Sequence, residues 1–240
     1  MQLAVASGKG GTGKTSLACA LAQALGPRAA LLDCDVEEPN CAIFLEPVIE
    51  SETDFSVPVP VIDAAKCKGR GRCQQVCEYN AIKLFNGKPF LFEHLCHSCG
   101  GCVLACPEKA ITEAPHPAGK IRRGRAGGLF FADGIMNIGE PSPVRLIKAV
   151  KVLAPASGAK FLLLDGSPGV GCPVLASLGG VDAVVIVAFY ADQRPLSEAF
   201  FVSPGLILKT LGQVPEDHKH CPILAAVAFY RALGNHLCKP

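Results

Sequence analysis

The stretch that decides the fold is GKGGTGKT, residues 8–15. It fits G-x-x-x-x-G-K-[ST], a glycine-rich loop whose backbone N–H groups wrap phosphate oxygens. Its surroundings suit that chemistry. QLAVAS (2–7) before it reads as a buried strand, and the Ala/Leu-rich run from Lys14 to Leu25 reads as a helix. A helix N-terminus offers unpaired N–H groups and the positive end of the helix dipole, both of which favour anions. Lys14 then reaches the β- and γ-phosphates, and Thr15 holds Mg²⁺. Gly8, Lys9, Gly10, Gly11, Thr12, Gly13 and Ser16 complete the candidate nucleotide-binding residues. The bland alternative is a glycine-rich turn that only caps a helix.

Outward from the loop, AALLDCD (29–35) reads as a second buried strand, so the first three elements form a right-handed parallel crossover. Apolar strand runs return at FLLLD (161–165), AVVIVAF (183–189) and PILAAVAF (222–229), with helices expected over Val144–Leu153 and Pro195–Leu211. Strands alternating with helices predict an α/β fold, a doubly wound and mostly parallel sheet. Three local readings go with it. The proline-punctuated VPVPVI (57–62) reads as a boundary. The basic run KIRRGR (120–125) reads as a solvated loop. GGLFFADGIMNIGEP (127–141) reads as a hairpin turning at Asp133-Gly134.

Composition narrows the class. Half of the 240 residues are hydrophobic and 18% are charged, which suits a globular chain with a sizeable core. The net charge of +2 supplies no global field for nucleic acid or an anionic membrane. Met1 leads straight into a strand without a signal-peptide pattern, and no apolar run is long enough to span a bilayer, so a soluble, cytoplasmic protein is expected. Thirteen cysteines in a reducing compartment point to metal or cluster ligation rather than disulfides.

Seven of those cysteines lie in an internal repeat. CHSCGGCVLACPEKAI (96–111) carries a complete C-x2-C-x2-C-x3-C-P run at Cys96, Cys99, Cys102 and Cys106. CKGRGRCQQVCEYNAI (67–82) aligns with it position by position but has Arg70 where the second cysteine belongs, leaving Cys67, Cys73 and Cys77. The pattern resembles a two-cluster ferredoxin inserted over residues 61–113, between the two parts of the enclosing domain, 1–60 and 114–240. In such ferredoxins the fourth cysteine of each run ligates the other cluster. The resemblance therefore implies one [4Fe–4S] cluster on Cys96, Cys99, Cys102 and Cys77. It implies only three thiolates, Cys67, Cys73 and Cys106, for a [3Fe–4S] or incompletely ligated [4Fe–4S] cluster. Guanidinium stays protonated and only donates, so Arg70 cannot stand in as a ligand. Zinc on four thiolates is the competing metal, and simple decay of the first run is the competing history.

The loop's second lysine, Lys9, resembles that of the deviant Walker A loop of the MinD/ParA/Mrp ATPases. Taken with the insertion, the chain looks like a P-loop NTPase of that superfamily with a small α+β ferredoxin-like insertion. The resemblance implies that Lys9 crosses a homodimer or related heterodimer interface to the partner's nucleotide. It implies that Asp33 and Asp35 in LLDCDVEEPN orient the attacking water. It also implies that Asp165 in FLLLDGSPGVGCP is the Walker B acid on Mg²⁺, with Gly169 in the adjoining switch. ATP, Mg²⁺ and iron–sulfur clusters are the expected cofactors, and a redox or cluster-acceptor protein the expected partner. Neither nucleic acid nor membrane is expected. Cys34, Cys41 and Cys172 are expected to be dispensable for iron. The C-terminal part departs from the family pattern at AFYADQRP (188–195) and at Phe229-Tyr230-Arg231, so truncation or divergence is expected there and no residue is assigned to the base. The rival readings are a non-hydrolysing nucleotide sensor, or an electron carrier with structural or redox-switch clusters.

Overall fold

The computed structural model describes residues 1–187. Strand β1 (Gln2–Ala6) leads through the glycine-rich loop into helix α1 (Lys14–Leu25) and then β2 (Ala29–Asp33). A short helix α2 (Cys41–Leu45) precedes the long strand β3 (Val48–Ile62). Next come α3 (Arg72–Gln75), the hairpin β4 (Ile82–Phe85) and β5 (Lys88–Leu91), and α4 (Gly101–Ala105). The chain returns by β6 (Ile111–Ala126) and β7 (Leu129–Met136), then α5 (Val144–Val152), β8 (Phe161–Asp165), α6 (Cys172–Leu178) and β9 (Ala183–Ile186).

The main sheet runs β3-β6-β7-β2-β8-β1-β9. The pairs β7–β2, β2–β8, β8–β1 and β1–β9 are parallel, while β3–β6 and β6–β7 are antiparallel. This is the doubly wound, mostly parallel α/β architecture read from the sequence. Alternation along the central strands fills both faces. Leu3, Val5, Leu31, Phe131 and Leu163 pack with α1, whereas Leu32, Phe130, Leu162 and Leu164 pack with Leu146, Ile147 and Val150 of α5. Strands covered on both faces are the usual condition of parallel sheets.

Two local readings are corrected, and a third gains a structure: VPVPVI is the end of β3, immediately before the cysteine-rich segment. Proline is tolerated there because β3 is the sheet's edge, where a missing N–H costs no ladder bond on the open side. KIRRGR is no loop but part of β6, with three of its four charges paired across the sheet. Lys120 reaches Glu52 at 2.6 Å, and Arg122 holds the fully buried Asp133. Asp133-Gly134 is no turn either. The turn is at Gly127-Gly128, both in the left-handed region (φ 54° and 90°), and β7 runs straight through Asp133 and Gly134. Gly134 is needed for close approach, since a Cβ there would lie 2.9 Å from Val150 and from Val36.

Between β3 and β6 sits the cysteine-rich segment, on its own small sheet, β4–β5. Asn86 and Gly87 join those two strands with positive φ (50° and 75°), the signature of a tight two-residue hairpin. The antiparallel ladder beneath it is long, pairing Val48 with Arg125 at one end and Ile62 with Ile111 at the other. Among the described residues no helix is long and apolar enough to cross a membrane. The expected helix Pro195–Leu211, the strand at 222–229, AFYADQRP and Phe229–Arg231 lie outside the described residues.

Candidate nucleotide and cluster sites

Register places the acidic groups. Asp33 of β2 is level with Asp165 of β8 on one side and with Asp133 of β7 on the other. Three aspartates thus stand in a row at the C-terminal edge of the parallel sheet, where open α/β sheets bind their ligands. All three are fully buried. The outer two have cations, Arg122 for Asp133 and Lys14 for Asp165.

Lys14 donates to Asp165 Oδ1 at 2.9 Å and lies 3.5 Å from Asp35 Oδ2. Burial works against its charge, but the Asp165 carboxylate, with Asp35 and Asp33, more than offsets this and raises its pKa. The Thr15 hydroxyl donates to Asp165 Oδ2 at 2.6 Å. Among the described residues Asp33 has no ion-pair partner of its own. Its oxygens accept the backbone N–H groups of Asp35 (3.1 Å) and Cys41 (2.9 Å). Burial first, and then the Asp165 charge, push its carboxyl up to about 7. Burial also raises Asp35, against the pull of Lys14.

The loop in front of these groups is open. A Cβ on Gly8, Gly10, Gly11 or Gly13 would meet nothing within 4 Å, while Gly11 and Gly13 need their left-handed φ of 76° and 84°. Lys9 and Ser16 are exposed. Thr12 Oγ1 is buried without a hydrogen-bond partner among the described residues. An orphaned hydroxyl, an unfilled glycine cradle and a buried lysine together suit a phosphate chain. The oxygen donors of Thr15 and Asp165 suit Mg²⁺, which prefers hard ligands. Sequence reasoning set Cys41 aside, yet its thiol donates to Asp165 Oδ2 at 3.5 Å and lies with Asp33 and Asp165 in a cluster of donor atoms within 4.8 Å. Only the fold could reveal this, because α2 brings Cys41 back to the strand ends.

The second site is built from the repeat. Gly71 and Gly100 begin α3 and α4 in the same left-handed conformation (φ 75° and 74°). Positive φ recurs at the paired positions Gly69 and Ser98, and at Asn80 and Lys109. The N–H of Ala81 donates to Cys77 Sγ at 3.3 Å, and that of Ala110 to Cys106 Sγ at 3.4 Å. The first run has therefore kept the backbone of the second. Thiols from the two runs lie near one another. Cys73 is raised by burial and feels Cys67 and Cys106 beside it, and all three line one cavity. Cys102 is pushed up to about 11 by burial and then by Cys96, while Cys96 has Cys99 and Cys77 as neighbours. Backbone N–H groups aimed at sulfur and thiols gathered from both runs suit iron–sulfur clusters. Thiols whose protons are held this firmly must release them on metal binding.

Two features of this region were not legible in the sequence. Arg70 donates to Glu108 Oε1 at 2.6 Å. Arg145, in the first turn of α5, donates to the carbonyl of Ser98 inside the second cysteine run. Both pairs join residues far apart in the chain.

The nucleotide-binding domain of CobQ, CobB, MinD and ParA matches residues 3–219. An uncharacterized protein of Methanocaldococcus jannaschii is 31% identical over 194 residues, covering 78% of this chain and 67% of that one. A ferredoxin of Pyrobaculum islandicum is 39% identical over 67 residues, covering 27% of this chain and 63% of that one. Among solved structures, the septum site-determining protein MinD of Pyrococcus horikoshii, complexed with Mg-ADP, aligns with 92% of this chain and 76% of its own, at 14% identity and a TM-score of 0.41. A glycine cradle at the edge of a doubly wound sheet, with a family match along most of its length, leads to one conclusion: the chain belongs to the CobQ/CobB/MinD/ParA nucleotide-binding family and carries a ferredoxin-like segment within it.

Proposed function

We propose that the chain is an ATPase that couples its nucleotide state to two iron–sulfur clusters, for electron transfer or for handling of iron–sulfur or other metal clusters. The observation that supports the coupling is helix α5, which reaches α6 at one end and the second cysteine run at the other. Near its C-terminal end Lys151 donates to the carbonyls of Ala176, Ser177 and Gly179, at the end of α6. That helix directly follows the Asp165–Gly169 segment. At its N-terminal end Arg145 holds Ser98, between Cys96 and Cys99. A shift of the segment after Asp165 therefore has a packed route to the cluster loop.

The residues divide the work as follows. Gly8, Gly10, Gly11, Thr12, Gly13 and Ser16 cradle the phosphates. Lys14, now paired with Asp165 and Asp35, would reach the phosphate oxygens, and Asp165 and Thr15 would hold Mg²⁺. Mg²⁺ would neutralise charge developing on the phosphoryl oxygens. Asp35, whose side chain is 13% exposed, is better placed than fully buried Asp33 to orient a water. Asp33 is then a positioning residue, since both its oxygens fix the chain between β2 and α2. Exposed Lys9 acts across a dimer on the partner's nucleotide. Cys77, Cys96, Cys99 and Cys102 hold one cluster, and Cys67, Cys73 and Cys106 hold the other.

The test is anaerobic purification with iron, sulfide and ATP turnover measured on one sample. Expected are two loaded clusters, turnover of ATP, and a Lys9→Ala variant that binds nucleotide but no longer turns it over. Normal turnover in Lys9→Ala removes the cross-dimer role. Iron-replete protein that binds ATP without turnover leaves a nucleotide sensor.

A further inference from the structure

The three-thiolate cavity contains a fourth candidate ligand, and it is not where the repeat would put one. Cys67, Cys73 and Cys106 line the cavity together with Arg70 and Glu108, and Glu108 is the one carboxylate among its described lining residues. Its side chain is 22% exposed, against 59% for Arg70. The two are 38 residues apart, and they meet at 2.6 Å through Arg70 Nε and Glu108 Oε1. Among the described residues the other carboxylate oxygen, Oε2, has only a loose approach from Lys68 at 3.8 Å.

The repeat supplies an internal control. Glu108 corresponds to Tyr79, two residues after the last cysteine of its run. Tyr79 stacks on His97 with ring centroids 3.6 Å apart and offers no carboxylate to the complete site. Arg70 corresponds to Cys99. So at this paired position the incomplete half has an acid where the complete half has an aromatic ring, and the residue standing at the missing thiolate's position is the one that grips this acid.

We propose that Glu108 is the fourth ligand of the three-thiolate cluster, with Arg70 as the residue that positions it. This rests on the reading of the insert as a two-cluster domain. Carboxylates that bind metal are themselves commonly hydrogen-bonded by outer partners that fix their orientation. Arg70 fills that part through one oxygen and leaves Oε2 available to iron. An oxygen ligand completes a four-iron cluster but holds its unique iron less firmly than a thiolate, because thiolates suit iron–sulfur clusters and carboxylates suit harder ions. The arginine thus marks a converted site, not a decayed one.

The test is anaerobic reconstitution with iron and sulfide, read by iron and sulfide content and by electron paramagnetic resonance. Wild type is expected to hold about eight irons, four at each site, with no oxidised three-iron signal. Glu108→Gln, which keeps the shape but loses the anionic oxygen, is expected to lose about one iron and to gain that signal. Arg70→Ala should lose part of the same iron, and Arg70→Lys should recover some of the loss. Arg70→Cys combined with Glu108→Gln should return to about eight, because a thiolate then takes the place of the carboxylate. ATP affinity and the signal of the reduced four-cysteine cluster report intact folding in each variant. Should Glu108→Gln fail to fold, the wild-type spectrum decides, since a three-iron signal there overturns the proposal. A Glu108→Gln protein with the iron content and spectrum of wild type also overturns it, and solvent or an external anion then holds the fourth iron. A loaded four-cysteine site beside an empty three-cysteine one sinks this inference and the second cluster, but leaves the nucleotide site and the first cluster standing. Iron at neither site sinks the two-cluster reading itself.

Discussion

Lys14 and Asp165 meet at 2.9 Å with side chains only 7% and 1% exposed, so each neutralises a charge that the other could not bury alone. Removing one partner of a buried pair strands the other, at a cost of about 3–5 kcal/mol. Lys14→Ala is expected to abolish ATP binding and to lower stability on that scale. Lys14→Met with Asp165→Asn should recover most of the stability but none of the binding. Denaturant unfolding and nucleotide titration of the single and double variants check both halves. If Lys14→Ala retains ATP affinity, the phosphate site is elsewhere.

The Asp33 carboxyl titrates near 7 instead of its usual 3.8, chiefly through burial. Its folded-state pKa is raised, so between those values the folded chain holds a proton that the unfolded chain has released. Stability from this group is complete below about pH 4 and falls as pH rises towards 7, with a slope of up to about 1.4 kcal/mol per pH unit. Asp33→Asn should flatten that slope in the metal- and nucleotide-free protein. Unfolding midpoints taken across this window, for wild type and variant, provide the check; parallel curves would mean that Asp33 is ionised throughout.

Arg145 ties α5 to the Ser98 carbonyl. If that contact transmits nucleotide state, Arg145→Ala should keep both ATP turnover and iron content near wild type. It should lose any ATP-dependent shift in cluster reduction potential or in the rate of iron removal by a chelator. Chelation rates with and without ATP are the simplest readout. A nucleotide effect of the same size in the variant would remove α5 from the pathway.

The cysteines should separate cleanly. Cys96→Ala is expected to empty the four-cysteine site and leave the other partly loaded. Cys41→Ala should leave iron content unchanged but alter Mg²⁺-dependent ATP affinity, because its thiol meets Asp165 at 3.5 Å. Iron analysis beside nucleotide titration distinguishes the two. Loss of iron in Cys41→Ala would mean that the clusters draw ligands from outside the insert.

Gly134 tests the corrected course of β7. A Cβ there would meet Val150, Val36 and Leu146 at 2.9–3.0 Å. Gly134→Ala is therefore expected to destabilise the protein by about 1–3 kcal/mol, the usual cost of overpacking. A substitution without effect on thermal unfolding would instead suit an exposed turn.

The two readings of Gly134 show where the sequence was legible. GKGGTGKT, the helix from Lys14 and FLLLD were readable because their signals are local, a motif or a periodicity within a few residues. Asp133-Gly134 carries a local turn signature too, but its purpose is non-local. Asp133 serves Arg122 on the neighbouring strand, and Gly134 makes room for α5. The basic run misled for the same reason, because the charges of Lys120 and Arg122 are met by Glu52 and Asp133 across the sheet. Cysteine spacing gave the internal repeat, and the grouping of the thiols is what its resemblance to two-cluster ferredoxins implies. The pairings of Arg70 with Glu108 and of Arg145 with Ser98 carry no such spacing, and only the folded chain brings these partners together.

The ladder between β3 and β6 has an entropic consequence. Because Ile62 faces Ile111, the segment between them leaves and rejoins the sheet at one point. To the domain below it is the loop of a hairpin, and loop-closure entropy grows only logarithmically, by roughly 0.6 kcal/mol for each doubling of length. A whole folded unit can therefore sit at that tip while costing the nucleotide-binding sheet little more than a modest loop would. The two parts can then vary in length independently, provided the strand ends stay level and the Arg145–Ser98 contact is kept.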